Sequence, residues 1–482
     1  MGGLVWVTRP VTGAASRSSQ EGKMKSTSNS QDLSLNDKVS NFRMELQEGM
    51  DAFKRADLTK YKERIRSTSS TINFFCKKNL PDVALLMECD WYPLVKQVES
   101  DEHYYDSFKC HSAALWLLGR KNSPGPISSG DPKKVAFIAQ NSVLLGHTEA
   151  MLLVMNDWRQ RYPDVEMIFL GMTPCRVELE RRLTSIGVRI ICHAGGESPT
   201  KTIEWLREKV VAEGVGTAVW LSLPIWISYI FGFRVAKRQV FWSLKFHAVH
   251  LGDDVIHIGM TKKRDGEEVI NGSKWLSFQP PLSVTLKQRG PKDRELLRGD
   301  LNSKFVFATL ARDEKFNSPR FAGCVAEILS RAPASVYIFT GRNISDTLRR
   351  ALEEKGVAER CIFAGWVDTE VYAFIADCFL ETFPFGCGVT GMQALGQGTK
   401  LVSLWDSDTL PRFYFNDLRE ASSFNTNWLV NETPEEYSES AVKQYQMWLA
   451  GEQKREDLKE AMARLEAPRY RRFYNLVFGG SC

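Results

Sequence analysis

The sequence predicts an α/β protein of two tandem, Rossmann-like parallel sheets with an all-helical domain in front. Short apolar runs recur beyond residue 131 every ~25 to 30 residues with helix-spaced segments between them, the period of βα units. The alternation is broken once, by the polar stretch Lys287 to Ser303, and then restarts. Ahead of residue 131, strand alternation is missing and apolar residues sit at helical spacing.

Residues 9–36 are rich in Ser, Thr, Gln, Asn and Lys, so 1–36 is expected to be a disordered tail. Val39, Phe42, Leu46 and Met50, then Val83, Leu86, Leu94 and Val98, mark amphipathic helices, which assigns 37–130 to a helical domain. It closes at Lys121 to Pro132, KNSPGPISSGDP, a linker by its Gly, Pro and Ser content. In 131–290, strands are expected at Val135–Ala139, Val165–Leu170, Val188–Cys192, Thr217–Leu221 and Val240–Leu244, with helices such as Ala150–Arg161 and Glu178–Ile186. In 291–482 they are expected at Phe305–Thr309, Val336–Thr340, Cys361–Ala364, Phe379–Phe383 and Leu401–Leu404. Such continuous apolar runs suit parallel strands covered on both faces. Two domains of this kind leave a cleft between the carboxyl ends of their sheets, where ligands bind by default.

The composition, 43% hydrophobic and 25% charged with a net charge of +5, is that of an ordinary soluble protein and lacks the concentrated basic stripe of a nucleic-acid binder. Ten cysteines are scattered without a CxxC pair, which argues against a zinc ribbon or thioredoxin motif and for reduced thiols in a cytoplasmic protein. The most apolar window, Ala218–Phe233, is broken by Ser222, Pro224 and Ser228. It reads as a buried strand and a helix opened by Pro224 rather than a transmembrane segment. The opening MGGLVWVTRP is too short for a signal core, and Trp6 breaks the myristoylation pattern.

Gly386, Gly388, Gly391, Gly396 and Gly398 interrupt Phe383–Leu404, FPFGCGVTGMQALGQGTKLVSL, between a mostly apolar lead-in from Cys378 and the apolar exit Leu401–Leu404. The spacing predicts strand, glycine loop, short helix, turn and strand. A helix amino terminus at the carboxyl end of a parallel strand attracts anions, since unpaired N–H groups and the helix dipole point there. The Thr390 hydroxyl and the N–H groups of Thr390, Gly391 and Met392 are the expected cradle, although a glycine cluster alone could simply make a tight turn. Lys315, in LARDEKFNSP just past the domain's first strand, is placed to meet a phosphate from the other side, with Arg312 as second candidate; both could instead be solvated loop charges. In the first domain VLLGHTE (Val143–Glu149) follows the first strand, and its His147 could act as a general base toward an acceptor hydroxyl, bond the donor phosphate, or cap a helix. His247, in WSLKFHAVH (Trp242–His250), could line the acceptor side or be structural. Asp406-Ser407-Asp408 has the spacing of a divalent-metal site but sits in a polar loop; with Asp253-Asp254 it reads as a surface turn, and no metal is expected.

The string VTGMQALGQGTKLVSL, the run Lys315-Phe316-Asn317-Ser318-Pro319 and the segment from Phe363-Ala364-Gly365-Trp366 to Pro384 together resemble the donor-binding half of GT-B glycosyltransferases. The likeness is greatest to the O-linked N-acetylglucosamine transferases and the bacterial cytoplasmic N-glycosyltransferases that modify adhesins; elsewhere it is one of architecture. It implies that Lys315, Thr390 and Gly391 contact the diphosphate of a nucleotide sugar, a UDP-sugar first, with no metal or other cofactor. It also implies a histidine in the 143–149 loop, a helical domain in front of the two lobes, and a closing helix in 434–478 that crosses back to the first lobe. Gln393 departs from the pattern, standing where those families place an Asp beside the nucleotide ribose, and Gly388 and Val389 stand where the animal-type enzymes carry His-Thr. Together the residues and the resemblance give Arg312, Gly388, Val389, Thr390, Gly391 and Gln393 as the expected donor contacts, with His147 and Lys315 as the expected catalytic groups. The expected function is metal-independent transfer of a hexosyl group to a protein or glycan acceptor. A sugar-nucleotide epimerase of the same architecture and a noncatalytic sugar-nucleotide or protein-binding module are the alternatives.

Overall fold

The computed structural model describes residues 30–55, 57–95, 101–127, 129–221, 225–243, 249, 251–259, 266–270, 272–278, 289–384, 386–405, 426–456 and 458–479. Four helices lead: α1 (Ser30–Lys54), α2 (Leu58–Lys77), α3 (Pro81–Val95) and α4 (Asp101–Asn122). Residues 30–36, expected in the tail, are thus helical, because Leu35 packs against the core that Phe42 enters. The Asp57 carboxylate caps α2 by accepting from the Lys60 N–H at 3.0 Å.

The first lobe runs β1 (Asp131–Ala139), α5 (Gly146–Arg161), β2 (Glu166–Gly171), α6 (Val177–Ser185), β3 (Arg189–Cys192), α7 (Pro199–Ala212), β4 (Val215–Leu221), α8 (Ile227–Phe233), β5 (Arg238–Ser243), β6 (Val255–Gly259), β7 (Glu267–Ile270) and β8 (Ser273–Ser277). The sheet order is β3-β2-β1-β4-β5-β6-β8-β7, parallel except for β7 against β8. Strands β6 to β8 extend the sheet past the last expected strand; β7 and β8 are too short and polar to show a pattern. Side chains of β1 alternate between two cores. Ala136 and Ile138 meet the helical layer, whose Trp91 and Phe108 lie in the same cluster, while Val135, Phe137 and Ala139 face α5. The leading helices therefore share a core with one face of the first sheet.

Helices α4 and α8 cross at two glycines: a Cβ on Gly119 would lie 2.1 Å from the Tyr229 carbonyl oxygen, and one on Gly232 would lie 2.2 Å from that of Trp116. Helix α8 opens at Ile227, not at Pro224, which lies outside the described residues. Its start is set by a tertiary contact. Buried Glu88 of α3 accepts the Trp226 N–H at 2.6 Å and lies 3.5 Å from the His111 ring, while the Trp226 indole donates to the Leu85 carbonyl at 2.9 Å.

The second lobe runs α9 (Pro291–Arg298), β9 (Phe305–Thr309), α10 (Pro319–Arg331), β10 (Ser335–Thr340), α11 (Asp346–Glu354), β11 (Cys361–Gly365), α12 (Thr369–Ile375), β12 (Cys378–Leu380), α13 (Val389–Gly396), β13 (Lys400–Leu404), β14 (Trp428–Asn431), α14 (Pro434–Leu449) and α15 (Lys459–Phe478). Its sheet, β11-β10-β9-β12-β13-β14, is parallel throughout. β12 stops at Leu380 instead of the expected Phe383, as the chain turns into the glycine loop. β14 was not expected.

Helix α15 returns to the first lobe. Phe473 stacks on Trp158 at 5.6 Å and lies 4.3 Å from Trp242, the Trp158 indole donates to the Tyr470 carbonyl at 3.3 Å, and Arg472 donates to the Ser277 carbonyl at 2.8 Å. Replacing fully buried Phe473 with alanine is expected to destabilise the protein by ~3–5 kcal/mol, read as a lowered urea midpoint. A midpoint within error of the wild type would show that α15 does not hold the lobes together. No helix among the described residues is long and apolar enough to cross a membrane.

Candidate functional site

The cleft end of the second lobe is built by the chain leaving β9 and β12. After β9 a 3-10 turn spans Asp313–Asn317, and Ser318 caps α10 by accepting the Phe321 N–H at 3.3 Å, with Pro319 at the first helical position. Phe316 is buried against Phe321 and Phe339, with ring centroids 6.1 and 5.8 Å apart, and this pins the turn. From that fixed turn the Lys315 ammonium donates to the Gly386 carbonyl of the glycine loop. The cation and the loop paired in the sequence therefore meet.

Gly388 precedes α13 with φ 55° and ψ −111°, a conformation open to glycine and costly for any side chain. The Thr390 hydroxyl donates to the Leu310 carbonyl at 2.7 Å, so it fastens α13 to the end of β9 instead of offering its hydrogen to an anion. The Met392 N–H bonds to the Gly388 carbonyl at 3.1 Å as the first rung of the helix and leaves the expected cradle. The N–H groups of Val389, Thr390 and Gly391 remain, three of the four that a helix start cannot satisfy internally. Gly391 itself is not sterically required: a Cβ there would meet only Leu401, at 3.7 Å.

The first lobe closes over this helix end. A Cβ on Gly146 would lie 3.3 Å from a Val389 methyl, so His147, second residue of α5 and partly exposed, borders the same space. The loop holding it is fixed by Thr148, whose hydroxyl takes the Leu145 N–H and donates to the Val143 carbonyl, both at 2.8 Å. Gln393 is buried, and its amide oxygen accepts from the Thr369 hydroxyl at 2.9 Å, joining α13 to α12. Arg312 is directed to Glu314 at 3.1 Å, with its side chain 42% exposed. His247 and Asp406–Asp408 lie outside the described residues, and Asp254 pairs with Arg234.

One group at the site was missed by sequence reading. Glu381, only 2% exposed, accepts the Cys387 N–H at 3.1 Å on one carboxylate oxygen and the Ser403 hydroxyl at 2.6 Å on the other, beneath the glycine loop. Its carbonyl takes the Tyr437 hydroxyl at 3.0 Å. Between the two charges lies the Cys387 thiol, whose pKa is pushed up by burial, lowered by Lys315 and raised by Glu381. A lone carboxylate inside the apolar run Cys378–Phe383 was the available signal.

Two tandem Rossmann-like lobes, each built on a mainly parallel sheet, are the architecture of the GT-B fold. No protein-family model and no curated protein matches the chain in sequence. Among solved structures it is similar to a point mutant of the O-GlcNAc transferase of Thermobaculum terrenum, at 16% identity over 92% of this chain and 99% of that one, with a TM-score of 0.51. It is similar also to Anabaena Alr3699/HepE in complex with UDP and glucose, at 13% identity over 71% of this chain and 98% of that one, with a TM-score of 0.50. At such identities the shared property is the fold, and the O-GlcNAc transferase likeness takes in nearly all of the chain.

Proposed function

We propose that the protein is a glycosyltransferase that moves a sugar from a nucleoside-diphosphate donor, UDP-linked first, to a protein or glycan acceptor. The observation that carries this reading is the Lys315 ammonium seated on the Gly386 carbonyl beside the amino terminus of α13, in a cleft closed by the first lobe. As the glycosidic bond breaks, negative charge grows on the leaving diphosphate. A fixed ammonium and three helix N–H groups stabilise it without reorganisation, so the reaction as read needs no metal. His147, across the cleft, is the residue to take the acceptor proton or to bond a phosphate oxygen. Gln393, bonded to Thr369, is read as a contact on the nucleotide side. The HepE structure was solved with UDP and glucose, which supports a UDP-linked donor here by analogy of fold. The scattered free thiols suit a cytoplasmic protein.

A thermal-shift screen against UDP, GDP, ADP and TDP sugars tests the donor, since a ligand that binds only the folded state raises Tm. Stabilisation by UDP-sugars above the others is the expected result, followed by donor turnover with an acceptor panel. An epimerised sugar formed from UDP-N-acetylglucosamine alone would turn the reading to an epimerase, and stabilisation without any turnover to a binding module. A chain that no nucleotide sugar stabilises would sink the reading.

A further inference from the structure

We propose that Glu381 is a positioning residue that shapes the anion cradle while its charge weakens the hold on the diphosphate, favouring release of the nucleotide after transfer. The proposal rests on the nucleotide-sugar reading above. Two opposite charges grip consecutive residues of the glycine loop: the Lys315 ammonium holds the Gly386 carbonyl, and the Glu381 carboxylate holds the Cys387 N–H at 3.1 Å. The second carboxylate oxygen takes the Ser403 hydroxyl, which itself accepts from the Trp428 indole at 3.0 Å, so the carboxylate is locked in place within the sheet end. Toward these two partners an amide of the same shape would serve the geometry as well. Its oxygen would accept from Cys387 N–H, and its N–H would donate to a Ser403 oxygen that turns to receive it. At Cys387 and Ser403 the loop's shape therefore does not require the charge. In a buried setting a negative charge under the cradle repels a diphosphate far more than it would in water. Where product release limits turnover, such repulsion speeds the cycle.

Titration calorimetry of UDP, UMP and uridine into the wild type, Glu381→Gln and Ser403→Ala tests this. Glu381→Gln is expected to bind UDP about tenfold tighter, ~1.4 kcal/mol, with a smaller gain for UMP and none for uridine; kcat and the donor KM fall together. A purely structural Glu381 would instead weaken all three ligands alike, and UDP affinity equal to or below the wild type overturns the proposal. Ser403→Ala removes a donor from the carboxylate and leaves its charge, so it is expected to weaken UDP and spare uridine. Should Glu381→Gln not fold, unchanged or tighter UDP binding by Ser403→Ala overturns the proposal on its own. A wild type that binds UDP, with Glu381→Gln no tighter, sinks only this inference; a wild type that binds none sinks the site reading as well.

Discussion

Replacing Lys315 with alanine is expected to lower kcat/KM for the nucleotide-sugar donor by about 10²- to 10³-fold, the range seen when one preorganised charge-stabilising donor is removed. The cause is local. Lys315 sits on a turn pinned by Phe316, and its ammonium anchors Gly386, from where, on the function proposed above, it would face the leaving diphosphate. Because the lysine is only partly buried and the turn is held by its neighbour, Tm should stay close to that of the wild type. UDP should also stabilise the variant less in a thermal shift. Turnover within twofold of the wild type, with the fold intact, would remove Lys315 from the mechanism and with it the central support for the diphosphate reading.

Gly119→Ala should be the most damaging small substitution in the helical layer. The added methyl would fall 2.1 Å from the Tyr229 carbonyl oxygen and 2.9 Å from the Phe233 nitrogen, backbone atoms that cannot rotate aside. Helix α4 must then move off α8, at an expected ~1–3 kcal/mol or more of overpacking. Thermal unfolding and limited proteolysis across residues 121–130 measure it: Tm falls and cleavage quickens. Gly323→Ala in α10 is the control, with nothing within 4 Å of its new methyl, and should be neutral or gain ~0.5–1 kcal/mol. Equal behaviour of the two variants would show that α4 and α8 do not need their close crossing.

Strands buried on both faces announce themselves as unbroken apolar runs, and so β1, β4, β5, β9, β10 and β13 were legible from pattern alone. β7, β8 and β14 were not: short strands are placed by their neighbours' ladders more than by their own residues. The start of α8 was misread for a related reason. Its position depends on the Glu88 carboxylate, far away in sequence, and local punctuation at Pro224 carried no trace of that partner.

The site divides in the same way. Gly388 and Lys315 could be singled out from the chain, because a positive-φ turn needs glycine and a phosphate needs a cation past a strand end. Thr390 was legible as part of the helix start, but the bond of its hydroxyl was not, since only the folded chain brings the Leu310 carbonyl within 2.7 Å of it. By itself the sequence determined two βα-repeat lobes, a helical layer ahead of them, and the glycine loop that opens α13, all of which follow from periodicity and backbone conformation. Only the tertiary structure decided that the leading helices share the first lobe's core and that α15 crosses back to it. It alone also decided that Glu381 lies under the cradle. Those are contacts between residues far apart in the chain, and no local pattern encodes which distant partner satisfies a buried group.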